Sequence, residues 1–244
     1  MRKIVYAMCV CAGLLSAKGV GDNVVNLIRQ QTKKEVRVLE TLPLKSDKDF
    51  QVVVVEDPET KYHIPLLANK DGSMVLGLGS VFFSKDNQDI ALLNGVYHKT
   101  SSHNFKQANG AKLNALFSGL PKDYVINLVS KNKNAKNLYI VSDPRCPHCQ
   151  NELRHVHERL KDANVHMVVV GLLGQKSTLK AADILTQIKQ ARTTEDKIAM
   201  LEKIYATNYE PGEVSDDKIQ EVEKTTKKIL ATGIESVPFI YEYQ

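Results

Sequence analysis

The feature that most constrains this chain of 244 residues is the tetrapeptide Cys-Pro-His-Cys at positions 146–149. It follows an apolar strand expected over Leu138 to Val141 and a turn over Ser142 to Arg145, and a helix is expected over Gln150 to Lys161. Cys146 is therefore predicted to lie at a helix N-terminus. Unpaired backbone N–H groups and the positive end of the helix dipole stabilise a thiolate there.

Neighbouring residues favour the same charged sulfur. Arg145 adds a positive charge, His148 adds another when it is protonated, and Pro147 has a φ suited to the first turn of a helix. We therefore predict that Cys146 is an exposed nucleophile and that Cys149 is a buried resolving thiol.

Other roles for the two cysteines are less well supported. A structural zinc site needs further ligands, and His155 and His157 would point to different sides of a helix. A structural disulfide would close a ring too short to constrain the unfolded chain much. Incidental free thiols suit an exported protein poorly. Reversible dithiol/disulfide chemistry is favoured, and neither a metal nor another cofactor is predicted.

The N-terminus predicts export through a signal peptide over residues 1–19. Arg2 and Lys3 precede an uncharged apolar stretch over Ile4 to Leu15, which is too short to span a bilayer comfortably. Cleavage is expected after Gly19, with Ala17 three positions before the cut. The protein is therefore expected to be exported from the cytoplasm.

The predicted removal of the signal peptide also determines which cysteines the mature protein would keep. Cys9 and Cys11 lie within the apolar stretch and are expected to be removed, so Cys146 and Cys149 are the pair that stays. A single, closely spaced pair in an oxidising compartment suits a catalytic disulfide.

The charge of the chain gives no sign of nucleic-acid binding. The net charge is +5, and removal of the signal peptide leaves 30 basic and 28 acidic residues. The basic residues are scattered and lack interleaved aromatic side chains.

Before residue 84, one helix and four strands are expected. The helix covers Asp22 to Gln31 and is capped by Asp22. The strands cover Val36 to Leu44, Val52 to Val55, Tyr62 to Ala68 and Met74 to Phe83. Tight turns between them indicate an antiparallel meander, so residues 20–83 are predicted to form an α+β domain.

A linker helix is expected over residues 84–120, with Thr100-Ser101-Ser102 and Gly110 weakening its middle. Its clearest apolar stripe consists of Leu113, Leu116, Phe117 and Leu120.

Residues 121–244 are predicted to form an α/β domain. Its strands are expected over Tyr124 to Val129, Leu138 to Val141, Val165 to Leu173 and Val237 to Tyr241. The third is continuously apolar, which is typical of a buried parallel strand. A helical insertion covers about residues 177–231, in which Thr193 and Asp196 form a capping box and Gly233 follows the last helix.

The Cys-Pro-His-Cys turn after a strand, the helical insertion and the late Val237-Pro238 together resemble the thioredoxin-fold Dsb proteins. In that superfamily the proline before the later strand is cis and lies against the active-site disulfide. Pro238 matches that proline by its context. The resemblance implies that Val237 and Pro238 contact the substrate.

The overall plan resembles the DsbC/DsbG branch, and in particular the DsbG-like periplasmic proteins of Helicobacter and its relatives. The resemblance implies a cystatin-like N-terminal dimerisation domain, a linker helix and a thioredoxin-fold catalytic domain. It also implies a homodimer that acts on unfolded or misoxidised exported proteins and is reset by an inner-membrane redox partner.

The sequence departs from that branch in three places. The Pro147-His148 dipeptide and the valine before Pro238 are typical of DsbA, whereas DsbC and DsbG usually carry another dipeptide and a threonine. The chain also ends at Gln244, so either the sequence is truncated or the sheet is abbreviated. We expect a thiol:disulfide oxidoreductase able to oxidise and isomerise; a holdase chaperone with secondary redox activity is the alternative.

Overall fold

A computed structural model of the protein describes residues 19–243. The expected signal peptide therefore lies, except for Gly19, outside the described residues. The chain divides into two compact units, with the division after Ala108.

The first unit is the antiparallel meander that the turns predicted. Its elements are α1 (Val20–Thr32), β1 (Arg37–Pro43), β2 (Phe50–Glu56), β3 (His63–Asn69), β4 (Val75–Gly77) and the first part of α2 (Asn87–Ser118). The four strands pair in sequence order, and every pair is antiparallel.

The second strand, β2, is apolar at successive positions because both faces of the sheet are covered. One face packs with α1 in a core of Val24, Val53, Val55, Leu66 and Ala68. The other packs with α2 in a core of Val52, Val54, Leu93 and Val96. A sheet with only one buried face would have needed alternating polar residues.

The turn between β3 and β4 needs a glycine. Gly72 has a φ of 72°, which side chains with a Cβ rarely adopt. A Cβ there would also lie 2.8 Å from the carbonyl oxygen of Val20 in α1. The glycine thus lets the turn approach the first helix closely.

Three details of the first unit differ from expectation. The N-cap of α1 is Gly19, and Asp22 lies in the first turn. The strand expected over Met74 to Phe83 shortens to β4, which pairs with only three residues of β3. The long helix α2 has no interruption over its 32 residues.

The second unit contains a four-stranded sheet flanked by helices. After the end of α2 come β5 (Ile126–Leu128), β6 (Lys136–Ser142), α3 (Pro147–Arg154), α4 (Val156–Arg159), β7 (Ala163–Val169), α5 (Gln175–Gln187), a 3₁₀ turn (Ile188–Gln190), α6 (Thr194–Tyr205), α7 (Asp216–Leu230) and β8 (Phe239–Glu242). The strand order is β5-β7-β6-β8. β6 and β7 are parallel, as predicted, and the two outer strands are antiparallel to their neighbours.

The end of α2 belongs to this unit. The predicted stripe of Leu113, Leu116, Phe117 and Leu120 is buried. Phe117 stacks on Tyr139 of β6, with the ring centroids 4.5 Å apart. The hydroxyl of Tyr241 in β8 donates to Asn114 Oδ1 at 2.8 Å. The helix is thereby joined to the two strands nearest the redox motif.

The expected helical insertion forms three helices and the 3₁₀ turn. The capping box that begins α6 is confirmed: Asp196 N–H donates to Thr193 Oγ1 at 3.0 Å, and Thr193 N–H donates to Asp196 Oδ2 at 3.1 Å. Two backbone N–H groups at the N-terminus of α6 thus find hydrogen-bond acceptors nearby.

The described residues contain neither a helix that could span a membrane nor a group of side chains suited to a metal ion. Across residues 19–243, every helix is too short or too polar to cross a membrane. Within the same range, no three or more His, Cys, Asp or Glu side chains are grouped so that they could hold a metal ion.

We predict that Thr193→Ala lowers the free energy of unfolding by about 1 kcal/mol, because it removes the side-chain acceptor of an N-cap. Urea denaturation followed by circular dichroism measures this loss. Ser215→Ala is the matched control, since Ser215 is the N-cap of α7 but makes no side-chain capping bond. Equal losses in the two variants would contradict the assigned role of the capping box.

Candidate active site

The redox motif lies at the junction of β6 and α3, and the helix begins earlier than expected. Cys146 is the N-cap and Pro147 the first helical residue, where the missing N–H of proline costs nothing. The expected helix over Gln150 to Lys161 is thus wrong at both ends. Helix α3 ends at Arg154 and the short helix α4 follows it.

The turn before the helix is organised by the buried carboxylate of Asp143. Its Oδ1 accepts the N–H of Arg145 at 2.8 Å. Its Oδ2 accepts the N–H groups of Leu172 and Leu173 at 2.7 and 2.9 Å. These charge-assisted bonds join the active-site turn to the loop after β7 and compensate for burying the charge.

Cys146 is less accessible than predicted. Its side chain is 7% exposed, because the thiol faces the segment before β8 and donates to the carbonyl oxygen of Val237 at 3.5 Å. The expectation of an exposed nucleophile is therefore wrong in degree. Cys146 is still more accessible than Cys149, which is 0% exposed.

Cys149 lies behind Cys146 on the first turn of α3. Its sulfur accepts the N–H of Asp143 at 3.4 Å. Burial raises the pKa of the Cys149 thiol to about 12, while the Asp143 N–H and the Ser142 hydroxyl act in the opposite direction. Both cysteines are free thiols in the structure.

The expected partner segment is in place. The Val237–Pro238 peptide bond is cis, as the resemblance implied, and the Val237 carbonyl lies against Cys146 as described above. The structure thus brings together five of the predicted site residues. Cys146, Pro147 and Cys149 belong to the redox turn, and Val237 and Pro238 lie in the segment before β8.

The two neighbouring basic residues remain at the surface. Arg145 and His148 are exposed, and within residues 19–243 the structure gives His148 no hydrogen bond or ion pair. Within these residues, therefore, no hydrogen bond joins His148 to Cys146. An electrostatic effect of His148 on the Cys146 thiolate stays a prediction.

Sequence reasoning missed the polar residues behind the sulfurs. Tyr205, the last residue of α6, is buried, and its hydroxyl donates to Ser142 Oγ at 2.8 Å. Gln150 Nε2 donates to the Tyr205 carbonyl at 3.0 Å. Of the polar residues around the two sulfurs, only Asp143 could have been identified from the local sequence. An Asp before Pro144 is typical of a turn in which the side chain accepts the N–H two residues on.

The arrangement suits thiol/disulfide exchange. Two thiols lie in one helical turn, one of them 7% exposed and the other fully buried, with the Asp143 N–H aimed at its sulfur. Attack by the outer sulfur on a disulfide, followed by attack of the inner one, would return a Cys146–Cys149 disulfide.

Comparisons with known proteins agree with this chemistry. The family model described as the N-terminal domain of disulfide isomerase DsbG matches residues 24–113. The solved structure of Helicobacter pylori DsbG is 48% identical and covers 91% of this chain and 100% of its own, with a TM-score of 0.55. No curated protein is similar enough to this chain to count as a match.

Two more distant structures are also similar. A periplasmic thioredoxin-like protein from Salmonella enterica serovar Typhimurium is 15% identical over 52% of this chain and 82% of its own, with a TM-score of 0.42. The thiol-disulfide exchange protein α-DsbA2 from Wolbachia pipientis is 12% identical over 58% of this chain and 86% of its own, with a TM-score of 0.43. Neither adds to the assignment that follows from the Helicobacter protein.

With a DsbG-type N-terminal domain, a thioredoxin-like catalytic domain and a relative of 48% identity that it covers in full, the chain belongs to the DsbG family of thiol:disulfide oxidoreductases and isomerases.

Proposed function

We propose that this protein exchanges disulfides in exported proteins through Cys146 and Cys149. The observation that carries the proposal is the unequal burial of two thiols in one helical turn, with the outer one at the helix N-terminus. Such a pair gives one sulfur that meets substrates and a second that reacts only with the first.

As an oxidant, the protein starts with a Cys146–Cys149 disulfide. A substrate thiolate attacks the Cys146 sulfur, which forms a mixed disulfide and releases Cys149 as a thiolate. A second substrate thiolate then attacks the substrate sulfur of the mixed disulfide. The substrate leaves oxidised, and both cysteines of the enzyme are left reduced.

As an isomerase, the protein starts reduced. The Cys146 thiolate attacks a wrong substrate disulfide and releases one substrate sulfur, which can attack elsewhere in the substrate. When rearrangement stalls, Cys149 attacks Cys146 and frees a reduced substrate. Cys146 lies at a helix N-terminus, which makes its sulfur a good leaving group in the mixed disulfide, so oxidation is the dominant proposed direction.

Substrate contact is assigned to the segment before β8. The Val237 backbone lies within 3.5 Å of the Cys146 sulfur, so a peptide joined to that sulfur must pass along Val237 and Pro238. We propose that backbone groups there pair with the substrate, which would allow many different sequences to bind.

The remaining proposals concern organisation and location. Residues 20–83 would form the dimerisation domain, 84–120 the linker helix and 121–244 the catalytic domain of a periplasmic homodimer. Its substrates would be unfolded or misoxidised exported proteins, and an inner-membrane partner would reset Cys146 and Cys149. The family relationship supports these assignments.

Chaperone activity is a second proposed function, favoured by apolar side chains exposed on the first unit. Phe83 is 93% exposed, Val81 76% and Leu76 53%. Exposed apolar groups of this kind mark surfaces that bind other proteins. Binding of unfolded chains there would not require the thiols.

We predict that reduced Cys149→Ser forms a lasting mixed disulfide with a scrambled substrate such as ribonuclease, because Cys146 attacks but nothing within the enzyme resolves the product. Non-reducing electrophoresis detects the complex. Cys146→Ser is the matched control and is expected to form no complex.

The same variants separate the two functions. We expect Cys146→Ser to lose insulin reduction and ribonuclease oxidation and to keep its protection of an aggregating substrate. If Cys146→Ser retains both redox activities in full, the proposed enzyme mechanism is wrong. If it loses aggregation protection, the chaperone function depends on the thiol.

We also predict selective alkylation of the reduced protein. Cys149 is fully buried and the pKa of its thiol is raised to about 12, so it stays protonated and unreactive between pH 7 and pH 10. Iodoacetamide should therefore modify Cys146 alone, as identified by peptide mass mapping. Unfolding in urea is the control and should expose both thiols. Comparable labelling of Cys149 in the folded protein would contradict the assigned roles.

A further inference from the structure

The resolving step requires a negative charge on the Cys149 sulfur, and the buried surroundings of this residue disfavour that charge. To attack the mixed disulfide, Cys149 must become a thiolate, yet burial raises the pKa of its thiol to about 12. Groups that donate hydrogen bonds to the sulfur favour the charged form. The N–H of Asp143 donates to the sulfur at 3.4 Å, and the nearby Ser142 hydroxyl also lowers the pKa of the thiol.

The backbone N–H of Asp143 is fixed in direction, but the hydroxyl of Ser142 is not. A serine hydroxyl has one hydrogen and two lone pairs, and its hydrogen rotates toward whichever acceptor is best placed. What occupies its lone pairs therefore decides whether the hydrogen points at the sulfur.

The hydroxyl of Tyr205 occupies one of those lone pairs. It donates to Ser142 Oγ at 2.8 Å, and both side chains are buried. Burial strongly raises the pKa of the Tyr205 phenol, so it stays protonated and can serve as a donor at any ordinary pH. With Tyr205 donating to it, Ser142 is free to donate its own hydrogen to Cys149.

We propose that Tyr205 is a positioning residue for the resolving thiol: by donating to Ser142 Oγ, it directs the Ser142 hydroxyl hydrogen at the Cys149 sulfur and so favours the thiolate that attacks the mixed disulfide. This role rests on the proposed function, because it assigns a part of the Cys149 step.

Tyr205 is held in place from two sides. Gln150 of the redox helix donates to the Tyr205 carbonyl at 3.0 Å. Lys180 of α5, a buried lysine, donates to the next carbonyl, that of Ala206, at 2.7 Å. The end of α6 is thus joined to the helix that carries both sulfurs, and the phenol approaches Ser142 from a fixed direction.

Glutathione disulfide separates the two chemical steps. First, the Cys146 thiolate attacks glutathione disulfide, forms a mixed disulfide with one glutathione and releases the other as a thiolate. Second, Cys149 loses its proton to solvent and attacks the Cys146 sulfur, which forms the Cys146–Cys149 disulfide and releases the second glutathione. The dithiol is oxidised to a disulfide, and glutathione disulfide is reduced to two glutathiones.

The test follows both steps after rapid mixing of the reduced full-length protein with excess glutathione disulfide. Samples quenched in acid are analysed by mass spectrometry for reduced, glutathionylated and oxidised protein. We expect Tyr205→Phe to slow the second step about three- to tenfold at neutral pH, the range of one lost hydrogen bond. In this variant the rate of the second step should rise only at a higher pH than in the wild-type protein. The rate of the first step should stay unchanged.

Tyr209→Phe is the matched control. Tyr209 lies four residues further along, and its hydroxyl donates to Asp183 Oδ2 at 2.6 Å rather than to Ser142. We expect both steps of this variant to keep the wild-type rate and pH profile. A comparable slowing of the second step in Tyr209→Phe would show a general loss of packing and overturn the proposal.

The pair of variants at Ser142 distinguishes a relay from a structural effect. Ser142→Ala should slow the second step at least as much as Tyr205→Phe, and the double variant should be no slower than Ser142→Ala alone. Independent, multiplying effects would overturn the proposal. So would an unchanged rate in Ser142→Ala, which tests the relay even where Tyr205→Phe folds poorly.

The experiment separates this proposal from the proposed function. If the wild-type protein never forms a glutathione adduct at Cys146, the redox function itself fails. If the adduct forms and resolves normally but Tyr205→Phe changes neither rate nor pH profile, only the role of Tyr205 fails.

Discussion

The active site depends on one buried charge, the carboxylate of Asp143. It accepts N–H groups from its own turn and from the loop after β7, so a single side chain joins two segments that are 29 residues apart in sequence. A buried carboxylate without such donors would cost several kcal/mol. The same residue directs its backbone N–H at Cys149. The side chain of Asp143 thus sets the turn, and its main chain sets part of the environment of the inner sulfur.

That anchoring explains how two cysteines three positions apart acquire different surroundings. Cys146 caps the helix and faces the carbonyl of Val237 in the segment before β8. Cys149, one turn later, faces the end of β6 and the polar groups behind it. The Cys-x-x-Cys spacing places both sulfurs on one helical turn, but only the packing of β6, β8 and α6 around that turn makes them unequal.

Features with a local cause could be predicted from the sequence. The capping box at Thr193 needs only residues three apart, the stripe through Leu113 and Phe117 needs only helical periodicity, and the proline at 238 was identified by its position before a late strand. Where local signals competed, the prediction failed. The motif helix was placed to begin at Gln150, although Cys146 as N-cap and Pro147 as first residue provide a sufficient start. The strand expected up to Phe83 ends at Gly77, since only Val75, Leu76 and Gly77 pair with β3.

The polar network behind Cys149 had no such local cause. Ser142 and Tyr205 are 63 residues apart, and each alone is ordinary: a serine at a strand end and a tyrosine at a helix end. Their contact arises because the helical insertion returns α6 to the redox helix, where Gln150 binds the Tyr205 carbonyl. A protein that must bury a reactive thiol to protect it must also supply donors that let it ionise when needed. In this fold the end of β6 provides the Ser142 hydroxyl, and Tyr205 at the end of α6 determines which way the hydrogen of that hydroxyl points.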